Sequence, residues 1–164
     1  MRRDQLEHAV RTACQIIQRP EVIVIGSQAI LGTYDEGDLP SAATMSVEID
    51  IMPIAADAAE IEHLADMIEG VAGEFSPFEE MIQNDNTAGP SGTSQFIGWC
   101  LDKEDLCVAK LCALREKDQN FVGALLDAGL VDSAIIGTRL RCLDVRHEVA
   151  AERALAWLAV QGRV

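Results

Sequence analysis

The run Glu21-Val-Ile-Val-Ile25 closed by Gly26 constrains this chain most. Five residues, four of them β-branched, are too few for a helix and too apolar for a surface segment. They predict a strand buried in a sheet. A glycine at its end allows a tight turn and lets a ligand come close to the backbone. Ser27 follows, where a short helix, Ser27 to Leu31, is expected to start and to stop at Gly32. A hydroxyl and free amides at such a start favour a phosphate. A plain structural turn is the competing reading, since glycine serves turns of many kinds.

The flanking segments place this strand in a mixed α/β fold. Residues 3 to 19 carry Leu6, Ala9, Val10, Ala13 and Ile17 at helical spacing, and Pro20 ends that helix. Thr33 to Ala43 is rich in Gly, Asp, Pro and Ser and reads as a loop. Met45 to Met52 is a second strand ended by Pro53, and Asp57 to Val71 is a helix capped by Asp57 and closed by Gly73. Residues 82 to 94 form a polar Gly/Pro-containing loop, and Gln95 to Leu101 a short strand. Helices follow: Asp102 or Lys103 to about Lys117, Asp118 to Ala128 with Gly129 at its end, Asp132 to about Leu140, and Asp144 to about Val160. The expected architecture is α/β (α+β). One domain spans 1–164, with a small mixed sheet in about 1–101 and a helical half in about 102–164. At 164 residues such a domain buries roughly 70% of its unfolded surface. Aromatic residues are only 4% of the chain, so Ala, Ile, Leu and Val must fill the core. Trp99 and Trp157 are expected in the core or an interface, and Met45, Met52, Met67 and Met81 in packing.

Charge and cysteines narrow the function. The net charge of −14 repels phosphate backbones, so a broad nucleic-acid surface is excluded. Five cysteines without a Cys-x-x-Cys pair, and three scattered histidines, signal neither a disulfide framework nor a zinc site. They point to buried thiols in a reducing compartment. No apolar stretch reaches membrane-spanning length, and the N-terminus lacks a secretory pattern, so a cytoplasmic protein is expected.

Glu48 and Asp50 are the second chemical feature. On a strand, residues two apart share a face, so both carboxylates should project together while Val47, Ile49 and Ile51 point inward. Two adjacent carboxylates repel unless a cation lies between them. Hard divalent ions with oxygen ligands fill that role, and Mg²⁺ keeps waters and substrate phosphates as further ligands. A solvated acidic edge is the plainer alternative.

Gly26-Ser27-Gln-Ala-Ile-Leu-Gly32 followed by Glu48-Ile-Asp50-Ile51 resembles the Gly-Ser and acidic-x-acidic motifs of the polymerase-β-like nucleotidyltransferase superfamily. Asp105-Leu-Cys-Val-Ala-Lys110-Leu-Cys-Ala-Leu-Arg115-Glu-Lys-Asp118 is similar to a helical segment of bacterial toxin–antitoxin and abortive-infection-like nucleotidyltransferases, and especially of a nucleotidyltransferase-like family of unassigned function. The resemblance runs from about residue 5 to 160. It implies that Gly26 and Ser27 hold the phosphates of a nucleoside triphosphate and that Glu48 and Asp50 bind Mg²⁺ or Mn²⁺. It makes Lys110 a phosphate ligand, supported by Arg115 and Asp118. Lys110, Leu114 and Asp118 are expected on one helix face, and an ordinary charged face is the alternative. The acceptor would be RNA or protein. A catalytically degenerate relative would act as a binding or regulatory protein, with a protein partner of the toxin–antitoxin kind. The chain departs from the pattern twice. The Ser27-to-Glu48 interval is long, and no third carboxylate is evident on a further strand, Glu74 and Asp85 being weak substitutes.

Overall fold

The computed structural model describes residues 1–46, 48–72 and 96–161. Helix α1 (Arg3–Ile17) leads into β1 (Glu21–Ile25) and a 3₁₀ turn (Ser27–Gly32). A short α2 (Ser41–Thr44), β2 (Asp50–Pro53), α3 (Ala58–Ala72) and β3 (Ile97–Cys100) follow. The helical half is α4 (Lys103–Ala113), α5 (Glu116–Asp127), α6 (Ser133–Arg141), a 3₁₀ turn (Val145–His147) and α7 (Glu148–Val160). This is the α+β architecture expected, with a mixed sheet. Val47, Gly73, Glu74, the Phe75–Glu80 stretch, Met81, the 82–94 loop with Asp85, and Gln95 lie outside the described residues.

Among the described residues the sheet has the order β2-β1-β3. β1 pairs antiparallel with β2 (Ile23 opposite Met52, Ile25 opposite Asp50) and parallel with β3 (Glu21 opposite Ile97, Ile23 opposite Trp99). Val22 and Val24 of β1 are fully buried, while Glu21, Ile23 and Ile25 are only half-buried. One face therefore looks into the core. Helix α1 lies on that face so closely that a Cβ on Gly98 would meet Val10 Cγ2 at 2.8 Å. Its buried stripe of Leu6, Val10, Ala13, Cys14 and Ile17 follows the predicted spacing. Helix α3 packs on α1 and β2. Its cap is as expected, with the Glu60 amide donating to the Asp57 carboxylate at 2.9 Å.

The helical half is centred on α4, which packs against α5, α6, α7 and the 3₁₀ turn after β1. Leu106, Cys107 and Leu111 of α4 meet Phe121, Val122, Leu125, Ile136, Leu140 and Leu158 in one continuous core with the sheet side chains. Burial pushes the Cys107 thiol up to about 12, which makes it a packing group rather than a nucleophile. Cys14 is buried too, but Cys100 sits on a strand and Cys142 is exposed, so the expectation of buried helical thiols holds only in part.

Several boundaries differ from the expected ones for identifiable reasons. The second strand begins at Asp50, not Met45, because residues 41–44 coil into α2, leaving Met45 79% exposed. Pro53 closes the strand from within it, opposite Val22. β2 has no neighbour on its outer side among the described residues, so the missing proline N–H breaks no ladder there. The long helix expected from 102 to 117 breaks after Ala113. Leu114 takes the left-handed conformation (φ 52°), and its carbonyl accepts from the Gln119 side chain at 3.0 Å. A new helix then starts at Glu116, with the Arg115 amide donating to the Asp118 carboxylate at 3.3 Å. Lys110, Leu114 and Asp118 thus do not share one helix face. Trp99 is 55% exposed rather than in the core, whereas Trp157 packs against it and donates to Gln119 at 2.9 Å. Met67 is also exposed.

Candidate active site at the end of the first strand

β1 ends at Gly26, whose backbone (φ 74°, ψ −169°) lies in a region essentially closed to residues with a Cβ. The space a Cβ would need is already filled. An atom built there would stand 2.0 Å from Asp50 Oδ2. The register that sets Asp50 opposite Ile25 brings its carboxylate onto the turn. Sequence spacing alone placed these groups on neighbouring elements, and the antiparallel pairing brings them into contact.

Ser27 is half-buried at the start of the 3₁₀ turn. Its hydroxyl has no hydrogen-bond partner among the described residues. Glu48 is exposed and precedes the β2 ladder. The shared-face argument for Glu48 and Asp50 therefore does not hold as made, because only Asp50 is in the strand. Ile49 and Ile51 do pack against the core as expected.

Gln28 escaped the sequence reading. It is fully buried, and its Nε2 donates to the Ser46 carbonyl at 2.5 Å, so the turn after β1 holds the segment that leads to Glu48. Its Oε1 is buried without a partner. A long polar side chain directly before the apolar run Ala29-Ile30-Leu31 was the available signal. Gln28→Glu tests this tether. In acid the protonated carboxyl still donates to Ser46. As pH rises, the carboxylate faces a carbonyl in the interior, so the folded-state pKa is raised and stability falls. Urea unfolding at pH 5 and pH 8 is expected to show a further loss of about 2 kcal/mol at the higher pH. Equal losses at both would show that the side chain is not held there.

The second cluster joins two helices. Asp118 is 0% exposed; Arg115 Nε lies 2.6 Å and Lys110 Nζ 3.4 Å from its carboxylate. Arg115 makes a second bond through its terminal nitrogen at 3.2 Å, so the fork is bidentate. Lys110, 12% exposed, also lies over the Phe121 ring at 5.5 Å. Burial by itself would push the Asp118 carboxyl up. The Arg115 hydrogen bond and the Lys110 and Arg115 charges outweigh it and hold the group below the usual carboxylate range. Lys110 and Asp118 do meet, as expected, but across the α4–α5 corner.

Arg115 lies within electrostatic reach of Asp50. Its guanidinium is held above its ordinary pKa by the Asp118 hydrogen bond first, and the Asp50 charge adds to this. With its side chain 58% exposed, it presents the accessible cation of the cluster, whereas Lys110 is enclosed. Packing of α2 on α5 brings the chain before Glu48 towards the helix that carries Asp118. Neither the helix start at Arg115 nor its use as a guanidinium clamp was legible, because the preceding helix was expected to run on to about Lys117.

The further strand beside β1 is β3, and its sequence Ile97-Gly-Trp-Cys100 carries no acidic residue. Asp102, just beyond it, accepts from the Glu104 and Asp105 amides and bonds Arg139, which commits it to capping α4. Among the described residues no group of three or more His, Cys, Asp or Glu side chains converges as a metal cage. None of the described helices is long and apolar enough to cross a membrane.

A small mixed sheet with a Gly-Ser turn at one strand end, a carboxylate on the antiparallel neighbour and a helical half define a nucleotidyltransferase-like domain. Residues 4–155 match the family described as nucleotidyltransferase of unknown function (DUF6036), and the chain belongs to that family. No curated protein and no solved structure matched the chain.

Proposed function

We propose that this site binds a nucleoside triphosphate with Mg²⁺, or Mn²⁺ in its place, and transfers the nucleoside monophosphate to a hydroxyl of an RNA or protein acceptor. The observation that carries the proposal is the contact between Asp50 and Gly26. A carboxylate filling the position of the missing Cβ stands directly beside the Gly26-Ser27 turn, which supports reading it as a metal ligand next to a phosphate-binding turn. The donor set fits a hard divalent ion. Among the described residues neither Glu48 nor Asp50 has a hydrogen bond or ion pair, and Mg²⁺ needs few protein oxygens when phosphates and waters supply the rest.

Gly26 and Ser27 hold the terminal phosphates through backbone amides and the free hydroxyl. Arg115 faces the phosphates from the helical side, and Asp118 and Lys110 fix its position. A bound Mg²⁺ supplies charge neutralisation at the phosphates. The acceptor oxygen attacks the α-phosphorus, the bond to the bridging oxygen breaks, pyrophosphate leaves, and the hydroxyl proton passes to solvent. A guanidinium clamped in advance costs little reorganisation as charge moves onto the leaving group.

Thermal unfolding with each triphosphate and Mg²⁺ tests the reading. Saturation near 100-fold above Kd is worth about 2.7 kcal/mol, which for a chain of this size raises Tm by roughly 5–10 °C. Asp50→Ala together with Glu48→Ala is expected to abolish the Mg²⁺-dependent part, and Arg115→Gln to weaken triphosphate binding. No shift with any triphosphate would overturn the proposal.

A further inference from the structure

The sheet has a second face, and Asp50 lies on it. The residues paired across the strands share a face, so Ile23, Ile25, Met52, Ile97 and Trp99 lie with Asp50 opposite the face covered by α1. Ile97 is 42% exposed, and Trp99 more so. Trp99 is not a loose surface ring. Its indole N–H donates to Glu21 Oε2 at 3.0 Å, from the neighbouring strand. That bond uses the only donor of the side chain, so what the ring still offers is its π-surface.

We infer that this face is the base platform of the site, with Trp99 stacking on the nucleobase of the bound triphosphate. The inference rests on the nucleotide reading above and adds where the base goes. Strands about 4.8 Å apart with a rise of about 3.3 Å per residue put the Trp99 and Asp50 backbones roughly 12 Å apart. One nucleotide spans such a separation from its phosphates to the far edge of its base. The phosphate end meets Gly26 and the Arg115 charge, and the apolar end meets Ile23, Met52 and the indole. Other occupants fit less well. A second copy stacked on this face would set Glu21 and Asp50 against their own images in a chain of net charge −14. A polynucleotide would bring many phosphates to that same acidic surface. Stacking also predicts weak discrimination among the four bases, since each has a π-face.

The test uses the full chain with Trp157→Phe, which leaves Trp99 as the only indole. ATP and CTP with Mg²⁺ are expected to quench its emission, and inorganic tripolyphosphate to raise Tm without quenching. Trp99→Ala should weaken ATP binding about ten-fold or more, as loss of base stacking on an aromatic ring does, with tripolyphosphate binding unchanged. Trp99→Phe, which keeps a ring, should lose less. If ATP raises Tm while the emission stays still and Trp99→Ala binds ATP normally, the platform is overturned and the nucleotide reading stands. If neither tripolyphosphate nor any of the four nucleoside triphosphates binds, the nucleotide reading fails and this inference with it. Resistance of Trp99 to acrylamide quenching in the free protein, or a dimer in sedimentation that Trp99→Ala dissolves, assigns the face to another occupant and also overturns it.

Discussion

Gly26→Ala is expected to lower stability by about 1–3 kcal/mol from the backbone alone and to abolish triphosphate binding. Two separate effects act at this residue. The backbone conformation disfavours any Cβ, and the new Cβ would stand 2.0 Å from Asp50 Oδ2, so the carboxylate must move. A double-mutant cycle separates them. Asp50→Ala frees the space but leaves the backbone strained, so the double variant should be destabilised by less than the sum of the single variants. Neighbours in contact show coupling of about 0.5–3 kcal/mol in such cycles. Simple additivity in urea unfolding would mean that Asp50 does not rest on the turn, and the proposed convergence of phosphate and metal sites would lose its basis.

Asp118→Ala is the second large effect, expected to cost about 3–5 kcal/mol, because it strands the enclosed Lys110 charge without its partner. The mechanism has a pH signature. The Asp118 carboxyl is held below its ordinary range, so its contribution is full above the unfolded-state value near 4. It is lost as pH falls through the lower folded-state value. The stability gap between the parent chain and Asp118→Asn should therefore be constant from pH 7 to about 5, then close in stronger acid. A gap that widens in acid would reverse the assignment. Binding separates positioning from folding. In Asp118→Asn the guanidinium fork loses its bidentate anchor, so triphosphate affinity should drop even where the variant is fully folded.

Much of this molecule was legible along the chain. The first strand is legible to the residue, because four β-branched apolar residues follow Glu21 between Pro20 and Gly26 and leave no freedom. The cap at Asp57 was plain, and helix starts near Asp102 or Lys103 and at Asp132 were legible as well, since a carboxylate before an apolar period satisfies free amides in any context. The break at Leu114 was not legible. Leucine gives no sign of a left-handed residue, and the corner depends on the Gln119 and Asp118 side chains reaching back. The second strand was overextended for a related reason. Its apolar alternation continued upstream, but Gln28 holds the Ser46 carbonyl and α2 takes up the residues before it.

The same division applies to the site. Local order determined that a glycine and a serine follow a buried strand and that carboxylates appear on the next extended segment, because backbone propensity and periodicity act over a few residues. Only the tertiary structure decided which carboxylate reaches the turn, which cation is accessible, and which sheet face carries the exposed Trp99. Antiparallel register set Asp50 on Gly26, the α4–α5 corner buried Asp118 between Lys110 and Arg115, and α1 covered one face of the sheet while leaving Trp99 on the other. Each of these depends on contacts between residues distant in sequence, where charge and burial compete and no short pattern records the outcome.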